Sequence, residues 1–213
     1  LSVAAITPRR SARKAKGDGH LRRAEILEAA ERIFVAEGYE GATIRKIADE
    51  VGVSSTALYM HFPDKGCILF EICERALRLL YERNSEIAAL PLDPVVRVRM
   101  MLEAYMRWGL GHPNAYQLVY SGKPMTQLGL GPWPEDTRDL STQCFDIFRG
   151  VVREIAAAGR LRSGGAESAA QALWMACHGI VALRASRPNF GWVESDDLIQ
   201  VTLDGLLNGL VVD

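Results

Sequence analysis

Cysteine is scarce in this chain and shows no paired spacing: Cys67, Cys73, Cys144 and Cys177 lie in or near apolar helical contexts. That pattern argues against a disulfide framework and predicts reduced core thiols in a cytoplasmic protein. No apolar run approaches the roughly 20 residues that a membrane span requires. The basic start has no long apolar segment after it, so no signal peptide is expected. Leu1 is not a natural initiator, and the chain is therefore expected to begin inside a longer one. A large net charge is missing too, since 25 Lys/Arg against 26 Asp/Glu leave −1, which excludes a polycation as a whole. Catalytic signatures are also absent. There is no H-E-x-x-H, no G-x-S-x-G, no Walker loop, no C-x-x-C pair and no nucleotide-binding glycine pattern after a strand. His20, His61, His112 and His178 are scattered without ligand spacing. No enzyme, metal or cofactor is expected.

Alternating strand patterns are missing as well, and helical periodicity takes their place. The 213 residues suffice for a sizeable core and one or two domains. A first helix is expected from Leu21 to Glu37, with Ala24, Leu27, Ala30, Ile33 and Phe34 as its apolar stripe and Gly38 as its end. A short second helix follows, capped by Thr43, with Ile44, Ile47 and Ala48 inward and Gly52 after its last turn. Ser54 caps a third, from Ser55 to His61, which Pro63 stops. Asp64 starts a long fourth helix reaching Ala89. Further helices are expected from Pro94 to Leu110 with Asp93 as cap, after His112-Pro113, and from Glu135 to Ala158, Ala166 to Ala185 and Asp196 to Val212. Residues 121–134 read as a glycine- and proline-rich loop. The fold expected is all-α: an N-terminal three-helix unit joined by a long helix to a larger helical domain.

Charge is unevenly spread along this framework. Residues 1–66 hold 11 Lys/Arg against 9 Asp/Glu, net +2, and residues 67–213 hold 14 against 17, net −3. The front third is the better match for an anionic partner. Within it lies "VGVSSTALYMHFPDK", residues 51–65, in which a turn centred on Gly52 separates the second helix from the third. That is the layout of a helix-turn-helix, whose second member enters a DNA major groove. Val51, Val53 and Leu58 anchor it. Ser54, Ser55 and Thr56 are short and can hydrogen-bond to bases or phosphates, and Ala57 can meet a thymine methyl. Tyr59, His61 and Lys65 are placed to reach flanking phosphates. Arg22 and Arg23 end a basic arm beginning at Arg9 that adds phosphate or minor-groove contacts.

The segment from Arg22 to Ile72 resembles the DNA-binding domain of the TetR family of transcriptional regulators. Ile26, Leu27, Ala29, Ala30, Phe34, Gly38, Tyr39, Thr43, Ile47, Ala48, Gly52, Val53, Leu58, Tyr59, Phe62 and Lys65 carry the likeness. It implies phosphate contacts from Thr43, Tyr59, His61 and Lys65, and base reading from Ser54 to Ala57. Gly66-Cys67 departs from the usual acidic residue and puts the cap of the fourth helix in doubt; Met60 is a second departure. "ALWMACHGIVAL", residues 172–183, resembles a tryptophan–histidine–glycine (WHG) subclass through Trp174, His178 and Gly179. Helix packing accounts for these three equally: Trp174 and His178 share a helix face, and Gly179 admits a close backbone. His178 is then either a structural hydrogen-bonding group or part of a cavity wall.

The expected division is a basic flexible arm at 1–20, a helix-turn-helix domain at 21–66, and a ligand-binding and dimerisation domain at 67–213. The last two helices are apolar on more than one face and are expected to form a homodimer interface, an expectation the family shares. Two-fold symmetry then implies a palindromic double-stranded DNA operator. The resemblance also implies a small-molecule effector in the larger domain, with repression relieved by ligand as the family's common behaviour. Candidate lining residues are Tyr105, Trp108, Tyr116, Tyr120 and Trp133, together with Phe145, Phe148, Trp174 and His178. As a set they point to a hydrophobic or aromatic effector. A dimeric sensor without DNA binding, and an activator, remain the alternatives.

Overall fold

A computed structural model describes residues 19–120, 135–162 and 164–212. Among these the chain is all-helical, in the order α1 (Gly19–Gly41), α2 (Ile44–Val51), α3 (Ser55–Tyr59), α4 (Lys65–Ala88), α5 (Pro94–Gly111), α6 (Pro113–Tyr120), α7 (Glu135–Ala157), α8 (Ala166–Ser186) and α9 (Ser195–Leu210). Two compact units divide between Leu69 and Phe70, inside α4. Residues 1–18 of the basic arm and the loop at 121–134 lie outside the described residues. No described helix is long and apolar enough to cross a membrane.

The first unit is built on caps that the sequence advertises. Gly38 breaks α1 with φ 72° and ψ 170°, so the label running to Gly41 spans a kink. A side chain at that φ would be strained, which is why glycine sits there. Thr43 Oγ1 accepts from Lys46 N at 3.2 Å and opens α2. Gly52, at φ 73°, closes it, its N–H turned back onto the Ala48 and Asp49 carbonyls. Ser54 Oγ accepts from Ala57 N at 3.1 Å and opens α3. This helix ends at Tyr59, two residues before the expected His61. The Leu58 carbonyl accepts both His61 N and Phe62 N, tightening the turn ahead of Pro63, which disfavours helix at its predecessor. Asp64 Oδ1 accepts from Cys67 N at 2.8 Å, so α4 keeps a cap despite Gly66-Cys67. Ile26, Ala30, Phe34, Ile47, Leu58, Phe62 and Ile68 form the interior.

In the second unit α5 packs against α6, α7, α8 and α9. Asp93 Oδ1 accepts from Val95 N at 2.8 Å, ahead of Pro94 in the first turn. Its other oxygen meets Arg160 at 2.6 Å, and that hydrogen bond holds the Asp93 carboxyl below its ordinary range. At Gly179 a Cβ would meet nothing within 4 Å among the described residues of one chain. The close approach is at Gly109, where a Cβ would stand 2.6 Å from Val181 and 2.9 Å from the Tyr116 ring. Helix α9 stops at Leu210, short of the expected Val212. Val211 leaves the helix to bridge Leu161, with Val212 N donating to the Arg160 carbonyl at 2.9 Å. Cys73, Cys144 and Cys177 are buried and Cys67 half-buried, all as free thiols. Burial pushes the Cys144 and Cys177 thiols up to about 12.

Candidate functional site

Two places in the molecule combine access with chemistry, one in each unit. In the first, Ser54, Thr56, Ala57 and Tyr59 are exposed and Ser55 is half-buried, while Leu58 is fully buried. One fully buried residue therefore holds a helix whose other side chains, apart from the half-buried Ser55, face solvent. Thr43 is exposed at the start of α2. Met60 is 84% exposed at the end of α3, more than Tyr59 at 54%, and is not among the expected contacts. Its apolar side chain gives no polar signal to find it by.

The cationic members are more engaged than their spacing suggests. Lys65 Nζ donates to the Tyr39 carbonyl at 2.7 Å and the Ala42 carbonyl at 3.1 Å, and lies 4.1 Å above the Tyr39 ring. It ties the start of α4 to the α1–α2 junction. Burial, then Asp64 and Glu40, push the Tyr39 hydroxyl above its ordinary value. Arg23 donates to the His61 carbonyl at 2.8 Å and stacks 4.1 Å over Phe62. Arg22 reaches the Val51 carbonyl at 3.4 Å and pairs with Glu25 at 2.9 Å. His61 is half-buried.

In the second unit the aromatic residues assemble around two cavities. The first, of about 260 Å³, is bordered by Tyr105, Tyr120, Phe145, Phe148 and Trp174. Leu80 and Asn84 of α4, Met101 and Leu102 of α5, and Ser141, Thr142 and Cys144 of α7 complete it. These seven are outside the aromatic set that the sequence points to; a small polar or aliphatic residue on a helix carries no sign of facing a void. The second cavity, of about 230 Å³, is lined by Tyr116, Gln117, Tyr120, His178, Ala182, Ala185 and Ser186. Tyr120 borders both. Trp108 lines neither but packs against Tyr105 and Tyr116. Trp133 lies outside the described residues.

Where the cavities meet, Tyr105 Oη is 2.9 Å and Tyr116 Oη 2.6 Å from the same nitrogen, His178 Nδ1. Tyr116 Oη also donates to the His178 carbonyl at 3.2 Å. Burial lowers the His178 pKa and so favours the neutral ring. A neutral ring with its proton on Nδ1 donates to Tyr116 Oη while Tyr116 donates to the carbonyl, which gives the 2.6 Å contact its proton. Burial raises the hydroxyls of Tyr105, Tyr116 and Tyr120 above their ordinary value, so they stay protonated well beyond neutral pH. His178 makes hydrogen bonds and also borders the second cavity. Trp174 packs 5.8 Å from its ring. No cluster of potential metal ligands occurs among the described residues.

Residues 26–72 match the profile of bacterial regulatory proteins of the tetR family, and residues 98–206 match that of a tetracyclin repressor-like C-terminal domain. The chain belongs to the TetR family. Over 144 residues it is 31% identical to the nucleoid occlusion factor SlmA of Vibrio vulnificus, covering 67% of this chain and 70% of that one. The HTH-type transcriptional activator FasR of Mycolicibacterium smegmatis is 29% identical over 106 residues, 50% of this chain and 48% of that one. The ketosteroid transcriptional regulator KstR2 of Mycobacterium tuberculosis superposes with a TM-score of 0.76, covering 90% and 96% of the two chains; its 23% identity shows the fold alone. The TetR family regulator PfmR of Thermus thermophilus gives 0.70 at 26% identity, covering 86% and 97%.

Proposed function

We propose that this TetR-family chain is a ligand-responsive transcriptional repressor that binds a palindromic operator as a homodimer and is released by a small hydrophobic or aromatic effector. The observation that carries the reading is the start of α3, where Ser54, Thr56, Ala57 and Tyr59 are presented to solvent around a single buried anchor, Leu58. Short hydroxyl side chains at a helix start suit base edges and phosphates. Thr43, Ser55 and His61 complete this reading surface, and residues 1–20 act as its basic arm. The division proposed is 21–66 for DNA and 67–213 for effector and partner.

In the assignment of roles, Lys65, Arg22 and Arg23 contribute positive field more than reach, because their head groups already hold backbone carbonyls. Dimerisation runs through α8 and α9, whose outer faces carry Met175 (65% exposed), Leu183 and Val201 (71% exposed). Covering such side chains is a reason for two copies to associate. The effector occupies the aromatic cavities, and the likeness of Trp174, His178 and Gly179 to the tryptophan–histidine–glycine signature supports assigning the second domain to that subclass. To act, the effector must bind one arrangement of the dimer better than the other.

The test is a mobility shift on DNA upstream of the protein's own gene. The Thr56→Ala, Tyr59→Ala double variant is expected to stay folded and dimeric and to lose about 10- to 100-fold in affinity. Unchanged affinity would reject the assignment of α3. The likeness to FasR favours activation as a second reading. A reporter behind the bound site separates the two, since deleting the regulator raises output under repression and lowers it under activation.

A further inference from the structure

Resting on the reading of the 260 Å³ cavity as the effector site, we infer that the effector is uncharged and carries a hydrogen-bond donor, a hydroxyl or an N–H, which Asn84 accepts. Two independent features of the wall lead there. The first is the lack of charge among the described lining residues. No Asp, Glu, Lys, Arg or His borders this cavity among the described residues. A carboxylate or phosphate entering it would shed its hydration with no counter-charge to meet it, and an ammonium would fare no better. The apolar wall therefore selects against organic acids of the same size.

The second feature is one unmatched acceptor. Asn84, on α4, is only 6% exposed. Its Nδ2 donates to the Cys144 carbonyl of α7 in a long bond of 3.4 Å. That contact decides the orientation of the amide, because the reversed amide would set two oxygens against each other. Oδ1 is then left with no partner among the described residues, although it is buried. A buried acceptor without a donor is rare and costly, and a ligand that supplies the donor removes that cost.

The other polar groups on the wall do not compete for this role. The Tyr105 hydroxyl is bonded to His178, and the Tyr120 hydroxyl can donate or accept, so neither selects one ligand chemistry. The Cys144 thiol donates to the Leu77 carbonyl at 3.5 Å. Ser141 and Thr142 are exposed, and a hydroxyl can donate or accept, so neither selects one ligand chemistry. Asn84 alone asks for a donor. A fused two-ring aromatic carrying one hydroxyl meets the volume, the aromatic lining of Phe145, Phe148 and Trp174, and the acceptor together.

Equilibrium dialysis of the full chain against four probes tests this: naphthalene, 2-naphthol, 2-methoxynaphthalene and 2-naphthoate. The naphthol is expected to bind at least about tenfold tighter than naphthalene or the methyl ether, and the naphthoate most weakly. In Asn84→Leu the naphthol is expected to fall to the level of naphthalene, with naphthalene itself unchanged or tighter. The comparison of naphthol with its ether on the unaltered protein keeps the test decisive should that variant fail to fold. Equal binding of naphthol, ether and naphthalene would overturn the donor inference and leave the cavity reading standing. Tighter binding of naphthoate would overturn the uncharged-ligand inference. Binding of none of the four would overturn both the inference and the cavity reading beneath it.

Discussion

Phe62→Ala is expected to abolish DNA binding by unfolding the first unit while leaving the second folded. Phe62 is 1% exposed, among the largest fully buried side chains, and the Arg23 guanidinium lies 4.1 Å from its ring centre. Truncating a buried phenylalanine costs about 3–5 kcal/mol through lost transfer energy and the cavity left behind. A unit of this size has roughly 5 kcal/mol to lose, the low end for small domains. The substitution also frees Arg23 from its stacking partner while its bond to the His61 carbonyl loses the turn that presents it. Phe62→Leu keeps most of the volume and is expected to cost about 1–1.5 kcal/mol. Thermal unfolding followed by circular dichroism, with a mobility shift on the same samples, checks both. The alanine variant should lose an early fraction of the helical signal at room temperature, and the leucine variant should still bind. An alanine variant that shifts DNA normally would show that Phe62 is not what holds the turn.

The second large effect is expected at Arg97→Ala. Arg97 is 8% exposed, one of two buried polar or charged side chains among the described residues. Its Nη1 donates to the Ala88 carbonyl at the end of α4 at 2.8 Å, and Nε to the Leu92 carbonyl at 3.0 Å. Nη2 meets Glu154 of α7 at 2.5 Å. One side chain on α5 thus caps α4, holds the connection that follows it and pins α7. Removing it strands two carbonyls and one carboxylate. Glu154 is half exposed and recovers water, so the loss is set by the carbonyls and the missing packing, about 2–4 kcal/mol. Glu154→Gln, which leaves the carbonyl bonds intact, is expected to cost no more than about 1 kcal/mol. Urea unfolding of the second unit distinguishes them: the midpoint should fall several times further for Arg97→Ala than for Glu154→Gln. Equal shifts would mean that the ion pair, not the cap, carries the energy.

The helices are legible in the sequence wherever a local device starts or stops them. Thr43, Ser54 and Asp93 cap as their side-chain chemistry suggests, and Gly38 and Gly52, the glycines expected after the first two helices, both take a positive φ. The solvent-facing start of α3 is legible for the same reason, since Leu58 is the one large aliphatic side chain in it and short residues precede it. What depends on distant partners is not legible. Gly179 and Gly109 look alike in sequence, yet among the described residues of one chain only Gly109 of the two meets another helix, because which glycine is crossed depends on where α8 lies. The spacing of Lys65 puts it on a groove wall, while the carbonyls that hold it sit 26 and 23 positions earlier. Asn84 shows the limit most plainly. Nothing in "LYERNSEI" tells that its neighbour is the Cys144 carbonyl 60 positions on, or that a void lies beside it. Periodicity reports which face is inward; it does not report where the inward faces fail to meet.

The proposal that two copies of the chain present paired α3 starts to one duplex is tested most directly by selecting bound sequences from a random double-stranded pool with the full-length protein. The account predicts enrichment of an inverted repeat whose half-sites are centred about 10 base pairs, or a small multiple of that, apart. The Thr56→Ala, Tyr59→Ala protein should fail to enrich that same repeat. Enrichment of an unsymmetrical site by a monomer, or no enrichment at low salt, would contradict it.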